Sequence, residues 1–515
     1  FEQWRGQGEE AFLSALEKNS ELKSVVLEET PWVLQANNEG DRKRRIALFF
    51  DMQRMAAAEQ ASLKKLRDMQ LPNGAWPWWS GMRESRFITQ HIVAGFGHLE
   101  TLKAADTRGD GPNETMLKQA VHWLDADVDR SYREMVKNTK LEERTKYMPD
   151  GLEVHLLYAR SFFRRWPVDG TTRTAMDFYA AQCKGTWAQR GLQEQAMLAL
   201  AFNRMGDKAT AQLILKSLSE RATRSEELGM YWKGVNAGYA WNEFPTETHA
   251  LLIEAFHEVG VDQDSVDQLR QYLLKLKQTT DWKTTKATAE ACYALLLTGA
   301  DWLATDNAPE IEVGGHRAKP NKAEAGTGYI EETWAAEAIE PGMGRVTVTT
   351  AKDGVQWGAL HWQYLERMDK VTPHESPFSL KKQVLLKQPS DAGARLVEVD
   401  TKSPLKPGDR VVIRIELRTD RHLDFVHLKD QRAAAFEPVE AVSGYKWQGG
   451  LGYYQSIRDA GMHFFFDHIA PGTYVFEYQL KVTQAGEMSN GITTAMCMYA
   501  PEFSSHSEGV RIMVE

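Results

Sequence analysis

Pro471-Gly472-Thr473-Tyr474-Val475-Phe476-Glu477-Tyr478-Gln479-Leu480, followed downstream by Met496-Cys497-Met498-Tyr499-Ala500-Pro501-Glu502, decides how the C-terminal part of this chain is read. Pro-Gly is a turn dipeptide, and residues 474–480 mix aromatic and β-branched side chains as a strand does. Gly486 marks another turn, and a second strand then runs into a Met-Tyr-x-Pro loop that reads as an exposed connection. The stretch predicts β structure closed by a hairpin.

Working upstream, the β texture continues. Lys406-Pro407-Gly408-Asp409 is a turn opening a strand over Arg410–Leu417, and short strands between regular turn signals imply a β-sandwich over about 386–515. Ile311-Glu312-Val313, Arg345-Val346-Thr347-Val348-Thr349 and the run from Trp357 to Tyr364 alternate with period two, which predicts a smaller β module over 304–385.

Before Asp306 the period changes to helical. Apolar residues recur every three or four positions from Arg45 to Leu66, Phe87 to Leu102, Met116 to Leu124, Glu153 to Arg165 and Thr174 to Cys183. The same spacing returns over Gln193–Met205, Ala209–Ala222, Thr246–Val259, Ser265–Lys277 and Lys286–Leu297. Breakers at Asn73-Gly74, Gly206-Asp207, Gly260 and Gly299 fall where helix hairpins would turn. Ten to twelve helices without strands over 1–303 predict an α/α toroid rather than a simple bundle. The fold class expected is therefore multidomain α plus β: a toroid, then two antiparallel β modules.

At 515 residues the chain is too long for one hydrophobic core. Its 42% hydrophobic and 26% charged content is that of a globular protein, and no run reaches the roughly 18 apolar residues of a membrane span. A net charge of −9 offers no basic stripe for nucleic acid. Cys183, Cys292 and Cys497 lie far apart and read as free, mostly buried thiols, although one disulfide stays open. Phe1-Glu2-Gln3-Trp4 has the look of the middle of an element, so a piece of a longer protein is expected.

The closing stretch resembles the final macroglobulin-like domain of bacterial alpha-2-macroglobulins, where a P-G-T-Y…Y strand pair precedes a loop of the form M-Y-N-P-E. Further upstream, Glu29-Thr30-Pro31-Trp32-Val33, Leu48-Phe49-Phe50-Asp51 and Gln70-Leu71-Pro72-Asn73-Gly74-Ala75-Trp76-Pro77-Trp78-Trp79 are similar to that family's E-T-P-W-V…LFD…Q-x-x-x-G-x-W. Ile88-Thr89-Gln90-His91-Ile92-Val93 and Trp282-Lys283-Thr284-Thr285-Lys286-Ala287-Thr288 resemble further helix starts of the family. The resemblance implies a thioester-type helical domain over 1–303, the second half of a CUB-like domain over 304–385 and a macroglobulin-like sandwich over 386–515. It also implies a protease-trapping inhibitor, monomeric, in the periplasm or at the cell surface, with target proteases as partners and no cofactor.

Two departures stand out. The family's C-x-E-Q thioester motif is absent: Cys183, Cys292 and Cys497 are followed by Lys-Gly-Thr, Tyr-Ala-Leu and Met-Tyr-Ala. Ala57-Ala58-Glu59-Gln60 lacks the Cys, so any thioester is expected upstream of Phe1. Asp430-Gln431-Arg432-Ala433-Ala434-Ala435-Phe436-Glu437-Pro438 lacks the Pro and Gly of the family's D-x-L-P-A-G-F-E-P, which predicts a restructured turn. Met498 and Tyr499 match the family pair that shields a thioester from water; a loop packed inside its own sandwich is the alternative.

No intrinsic catalytic site is readable. The Gln70…Trp76 motif also occurs in triterpene cyclases, but Asp125-Ala126-Asp127-Val128-Asp129 lacks the adjacent acids a cyclase needs and reads as a solvated helix face. Trp76 and Trp78 are expected to stack across the turn. His91 and His98, seven residues apart, lie about 10 Å apart along a helix, too far to share a metal. His155 is by default a partly buried helix histidine; in some thioester proteins such a residue carries the acyl group, which makes it an acyl-transfer candidate. Ser85 or Thr89 is expected to cap the helix that follows. A terpene-cyclase-like or carbohydrate-active toroid enzyme, or an adhesive surface module without a warhead, remains the alternative reading.

Overall fold

The computed structural model describes residues 52–104, 111–235, 245–260, 263–298 and 309–515, the last apart from 319–321, 324–329, 351–357, 359, 363, 376, 391–392, 400–403 and 441. The helices expected before residue 52, with the segments Glu29–Val33 and Leu48–Asp51, lie outside the described residues. Among the described residues no helix is long and apolar enough to cross a membrane. The chain divides into two compact units, one carrying the helices and the small sheets up to residue 350, the other the large sheets of the C-terminal part.

The helical unit runs α1 Met52–Met69, α2 Arg86–Thr101, α3 Pro112–Asn138, α4 Leu141–Arg144, α5 Gly151–Ser161, α6 Gly170–Thr186, α7 Leu192–Met205 and α8 Lys208–Arg221. A hairpin of β1 Thr223–Ser225 and β2 Gly229–Tyr231 follows, then α9 Pro245–Val259, α10 Gln263–Thr279 and α11 Thr285–Leu297. One continuous core joins Val93, Leu157, Phe163, Leu200, Ile253 and Phe256 from neighbouring helices. Helix starts are set by side chains: Asp150 and Glu153 form a reciprocal capping box on α5, and Asp169, Asp207 and Thr284 cap α6, α8 and α11.

Three expectations need correction here. The β1–β2 hairpin is a strand pair inside a region read as purely helical; three residues per strand are too few for a period to register. Helix α3 is 27 residues long, far beyond Met116–Leu124, because its second half turns a charged face outward and so hides the apolar stripe. Trp76 is buried and donates its ring N–H to the Leu66 carbonyl, whereas Trp78 stacks on Phe87 and Trp79 rather than on Trp76. Gly74 holds this turn at φ +93°, where a Cβ would lie 2.6 Å from the Gln119 carbonyl oxygen.

Along the chain the helices are followed by small antiparallel sheets: β3 Glu310–Val313, β4 His316–Arg317 and β7 Val346–Thr349 in the order β4-β3-β7, and β5 Lys322–Ala323 with β6 Ile330–Glu331. The described residues of the run expected as a strand from Trp357 to Tyr364 form none, and Leu360, Trp362 and Tyr364 are exposed. Alternation alone makes no strand without a partner strand to receive its hydrogen bonds.

The second unit stacks two antiparallel sheets on a shared core. Five strands run in the order β12 Phe436–Pro438, β16 Gly472–Val482, β10 Arg410–Thr419, β8 Phe378–Ser390, β9 Gly393–Glu398. Six run β13 Gly444–Gln448, β14 Leu451–Arg458, β15 Gly461–Ile469, β11 Leu423–Gln431, β18 Thr493–Cys497, β19 Ala500–His506. A further pair joins β17 Gly486–Ser489 to β20 Arg511–Val514. Ile413, Ile415, Phe476 and Leu480 of one sheet meet Val426, Leu428, Phe464 and Phe466 of the other. Gly449 and Gly450, both at positive φ, make the two-residue turn between β13 and β14. Strand β8 begins at Phe378 and pairs with β10 from Phe378 to Leu386, so the first strand of this unit crosses the boundary read at 385/386.

Candidate functional site

Met498 and Tyr499 are the two residues between Cys497 and Ala500, which pair across the β18–β19 hairpin. The ladder shifts register between Met496 and Cys497, and a bulge of that kind re-aims the side chains of a hairpin tip. The Met498 amide donates to the Phe425 carbonyl at 2.9 Å, and Phe425 itself sits at φ +55°, an unusual conformation for an aromatic residue. Its ring meets that of Tyr499 edge-on, 5.1 Å between centroids. On this face Met498, Met496 and Phe465 form a buried apolar cluster flanked by Phe425, Tyr454 and Tyr499. The connection read as exposed is thus largely buried: Met498 is 2% exposed, and Tyr499 is partly exposed with its hydroxyl turned inward. Chemically the tip is an apolar wall without a nucleophile, suited to keeping water from whatever lies against it.

His155 lies in the other unit, on α5, buried against Phe87 at 5.9 Å and near Tyr158. Burial, with help from His91 and Lys286, pushes its imidazole down to about 3, so it is neutral at physiological pH. Among the described residues its buried Nδ1 has no hydrogen-bond partner. Around it sit side chains that the sequence reading did not single out. Arg86 lies 3.5 Å from Glu153 and 3.6 Å from Asp127, and Gln90 donates to the Leu152 carbonyl while its Oε1 has no partner among the described residues. Burial and the neighbouring Asp150 raise the Glu153 carboxyl to about 7. Ser85 caps α2 by accepting from the Ile88 amide, and Thr89 instead accepts from the Trp76 amide and donates to the Ser85 carbonyl.

Deeper in the same helices Glu254 collects three direct hydrogen-bond partners and a fourth residue behind one of them. Tyr158 donates to it at 2.6 Å, Tyr293 at 3.0 Å and Arg204 at 2.7 Å, and His98 completes the set through Tyr158 at 2.7 Å. A glutamate inside the apolar run Leu251-Leu252-Ile253-Glu254-Ala255-Phe256 was the signal for this network, since a lone charge there must be paired. Arg204 holds the Glu254 carboxyl below its usual range despite complete burial. The acids of Asp125–Asp129 are not a solvated face: Asp125 is held by the buried Arg160 at 2.9 Å, Asp127 by Arg130 and Asp129 by Arg133. Among the described residues no three His, Cys, Asp or Glu side chains are grouped to hold a metal ion. Cys183 and Cys497 are buried, Cys292 is exposed, and no disulfide joins any two of them.

Residues 378–502 match the family model described as the bacterial alpha-2-macroglobulin MG10 domain, a span that starts at strand β8 and ends just beyond the Met498–Tyr499 tip. An alpha-2-macroglobulin homolog of Nostoc sp. is 23% identical over 297 residues, covering 54% of this chain and 15% of the relative. Among solved structures, Salmonella alpha-2-macroglobulin reacted with methylamine is 14% identical, with 98% of this chain and 29% of that one covered and a TM-score of 0.32. Trypsin-activated alpha-2-macroglobulin from Escherichia coli is 12% identical, with 98% and 31% covered and a TM-score of 0.39. The chain spans under a third of the length of these proteins. The MG10 family model, set on the strands that carry the hairpin tip, and the Nostoc relative make this chain similar to the bacterial alpha-2-macroglobulins.

Proposed function

We propose that this chain is a piece of a broad-spectrum protease-trapping inhibitor acting in the periplasm or at the cell surface as a monomer. In this reading the helices close into an α/α toroid of the thioester type, and the small sheets of 309–350 belong to a CUB-like domain. A thioester carried by the longer protein acylates a lysine of the attacking protease. The lysine nitrogen attacks the thioester carbonyl, an amide bond forms, and the cysteine leaves as a free thiol. The chain itself turns over no substrate. The arginine-held carboxylates of Asp125–Asp129 argue against the cyclase alternative, which needs a free acid.

The observation that carries the reading is the apolar hairpin tip. Met498 is buried in its own sandwich and Tyr499 packs partly buried beside it, an apolar surface suited to covering an acyl thioester against water. Tyr499→Ala in the full-length protein tests it. Because Met498 rather than Tyr499 is the fully buried member, the variant is expected to fold, and it should release free thiol faster than the parent with and without methylamine. Equal release rates would show that the tip is not a shield.

A further inference from the structure

We propose that His422 and His468 form a surface site for a late first-row divalent metal ion, with Asp424 as the residue that orients His468. His422 immediately precedes β11 and His468 lies near the end of β15; the antiparallel register pairs Asp424 with His468 and Leu423 with Ile469, which brings the two imidazoles side by side. His422 Nδ1 lies 3.2 Å from His468 Nε2, and the rings are nearly parallel. The remaining nitrogen of His468, Nδ1, is 2.5 Å from Asp424 Oδ1.

The burial pattern gives this chain of contacts a direction. The Asp424 side chain is 2% exposed while that of His468 is 42% exposed, so a fixed internal carboxylate holds the Nδ1–H and turns the Nε2 lone pair outward. A carboxylate behind an imidazole in this manner is how metal-binding histidines are oriented and made more basic. The nitrogen separation also fits. A metal about 2.0–2.1 Å from each nitrogen at a near-tetrahedral angle requires roughly 3.3 Å between them, so no strand has to move. The ion replaces the proton shared by the two rings: the His422 Nδ1–H bond breaks, its proton is taken up at His422 Nε2 to give the other neutral tautomer, and two N–metal bonds form.

The second histidine pair of the same strands shows why the exposed one is chosen. His427 and His463 are 2.9 Å apart, but His427 is buried, leaving no access for the waters that must complete a coordination shell. With two protein ligands and water for the rest, binding at His422/His468 is reversible, and Cu(II) is held more tightly than Zn(II). Because the ion bridges the start of β11 and the end of β15, it stabilises the folded sandwich by mass action.

Cu(II) added to the chain, followed by electron paramagnetic resonance and thermal unfolding, tests the site. The expected spectrum shows one ion with two imidazole nitrogens, accompanied by a rise in Tm. His422→Ala leaves the Asp424–His468 pair intact and should remove that two-nitrogen signal and the Tm rise. Asp424→Asn should weaken the affinity by about 10–100-fold while keeping the two-nitrogen spectrum. An unchanged spectrum and Tm shift in His422→Ala, or in His468→Gln, would overturn the proposal.

Discussion

Lys382 of β8 and Asp430 of β11 meet 2.7 Å apart inside the sandwich, and neither side chain exposes any surface to solvent. The three ammonium hydrogens are all used, by Asp430 and by the carbonyls of Gln431 at 2.6 Å and Asn490 at 3.1 Å. Asp430 also accepts from Tyr478 and from Thr493. One polar bolt therefore joins strands of both sheets. Lys382→Met is expected to cost about 3–5 kcal/mol, because it leaves Asp430 buried without its cation. Urea unfolding checks this; a loss below about 1 kcal/mol would mean that Asp430 is satisfied without Lys382.

Two glycines on α2 should respond in opposite directions. A Cβ at Gly97 would sit 2.4 Å from the Phe162 ring, whereas one at Gly95 meets nothing within 4 Å. Gly95→Ala should stabilise by about 0.5–1 kcal/mol through helix propensity, and Gly97→Ala should destabilise through the clash. Thermal unfolding of both variants gives the signs directly, and a shared sign would contradict the packing described for α2 and α5.

Buried neutral histidines should make the sandwich acid-sensitive. Burial, then the neighbouring His463 and Lys429, lower His427 to about 3; burial, then Lys429 and Arg458, lower His463 to about 4. Both lie below the ordinary value of 6.5, so the folded state holds them uncharged while the unfolded chain protonates first. Stability is fully present above about pH 6.5 and falls as pH drops toward 4, at up to about 1.4 kcal/mol per pH unit for each group. His427→Phe should flatten that slope. Urea midpoints at pH 7 and pH 5 that shift equally in parent and variant would contradict the assignment.

Thiol chemistry should separate the three cysteines. Cys292 is exposed, whereas Cys183 and Cys497 are buried and burial pushes the Cys183 thiol up to about 12. An aromatic disulfide reagent should report one fast equivalent on the native chain and three after denaturation. Two or more fast native equivalents would show that a core cysteine is accessible.

The long apolar stripes were legible: helices α5 to α11 lie within a few residues of their expected limits, because each buries one face and ends at a cap or glycine. So was β16, whose aromatic alternation points into a shared core. The β1–β2 hairpin and the second half of α3 were not, since three residues carry no period and a charged helix face masks its own stripe. The Met498–Tyr499 pair was found by its resemblance to the family, but not its largely buried state, which depends on Phe425 and Phe465 from strands distant in sequence. Arg86, Gln90 and Glu153 became visible only once α2 and α5 were placed side by side.

Covalent capture of proteases, proposed for the protein to which this chain belongs, can be read from incubation of the full-length protein with trypsin followed by a denaturing and reducing gel. A new band of high mass containing both polypeptides is expected, prevented by prior treatment with methylamine. Cleavage into fragments with no such adduct, methylamine making no difference, would contradict it.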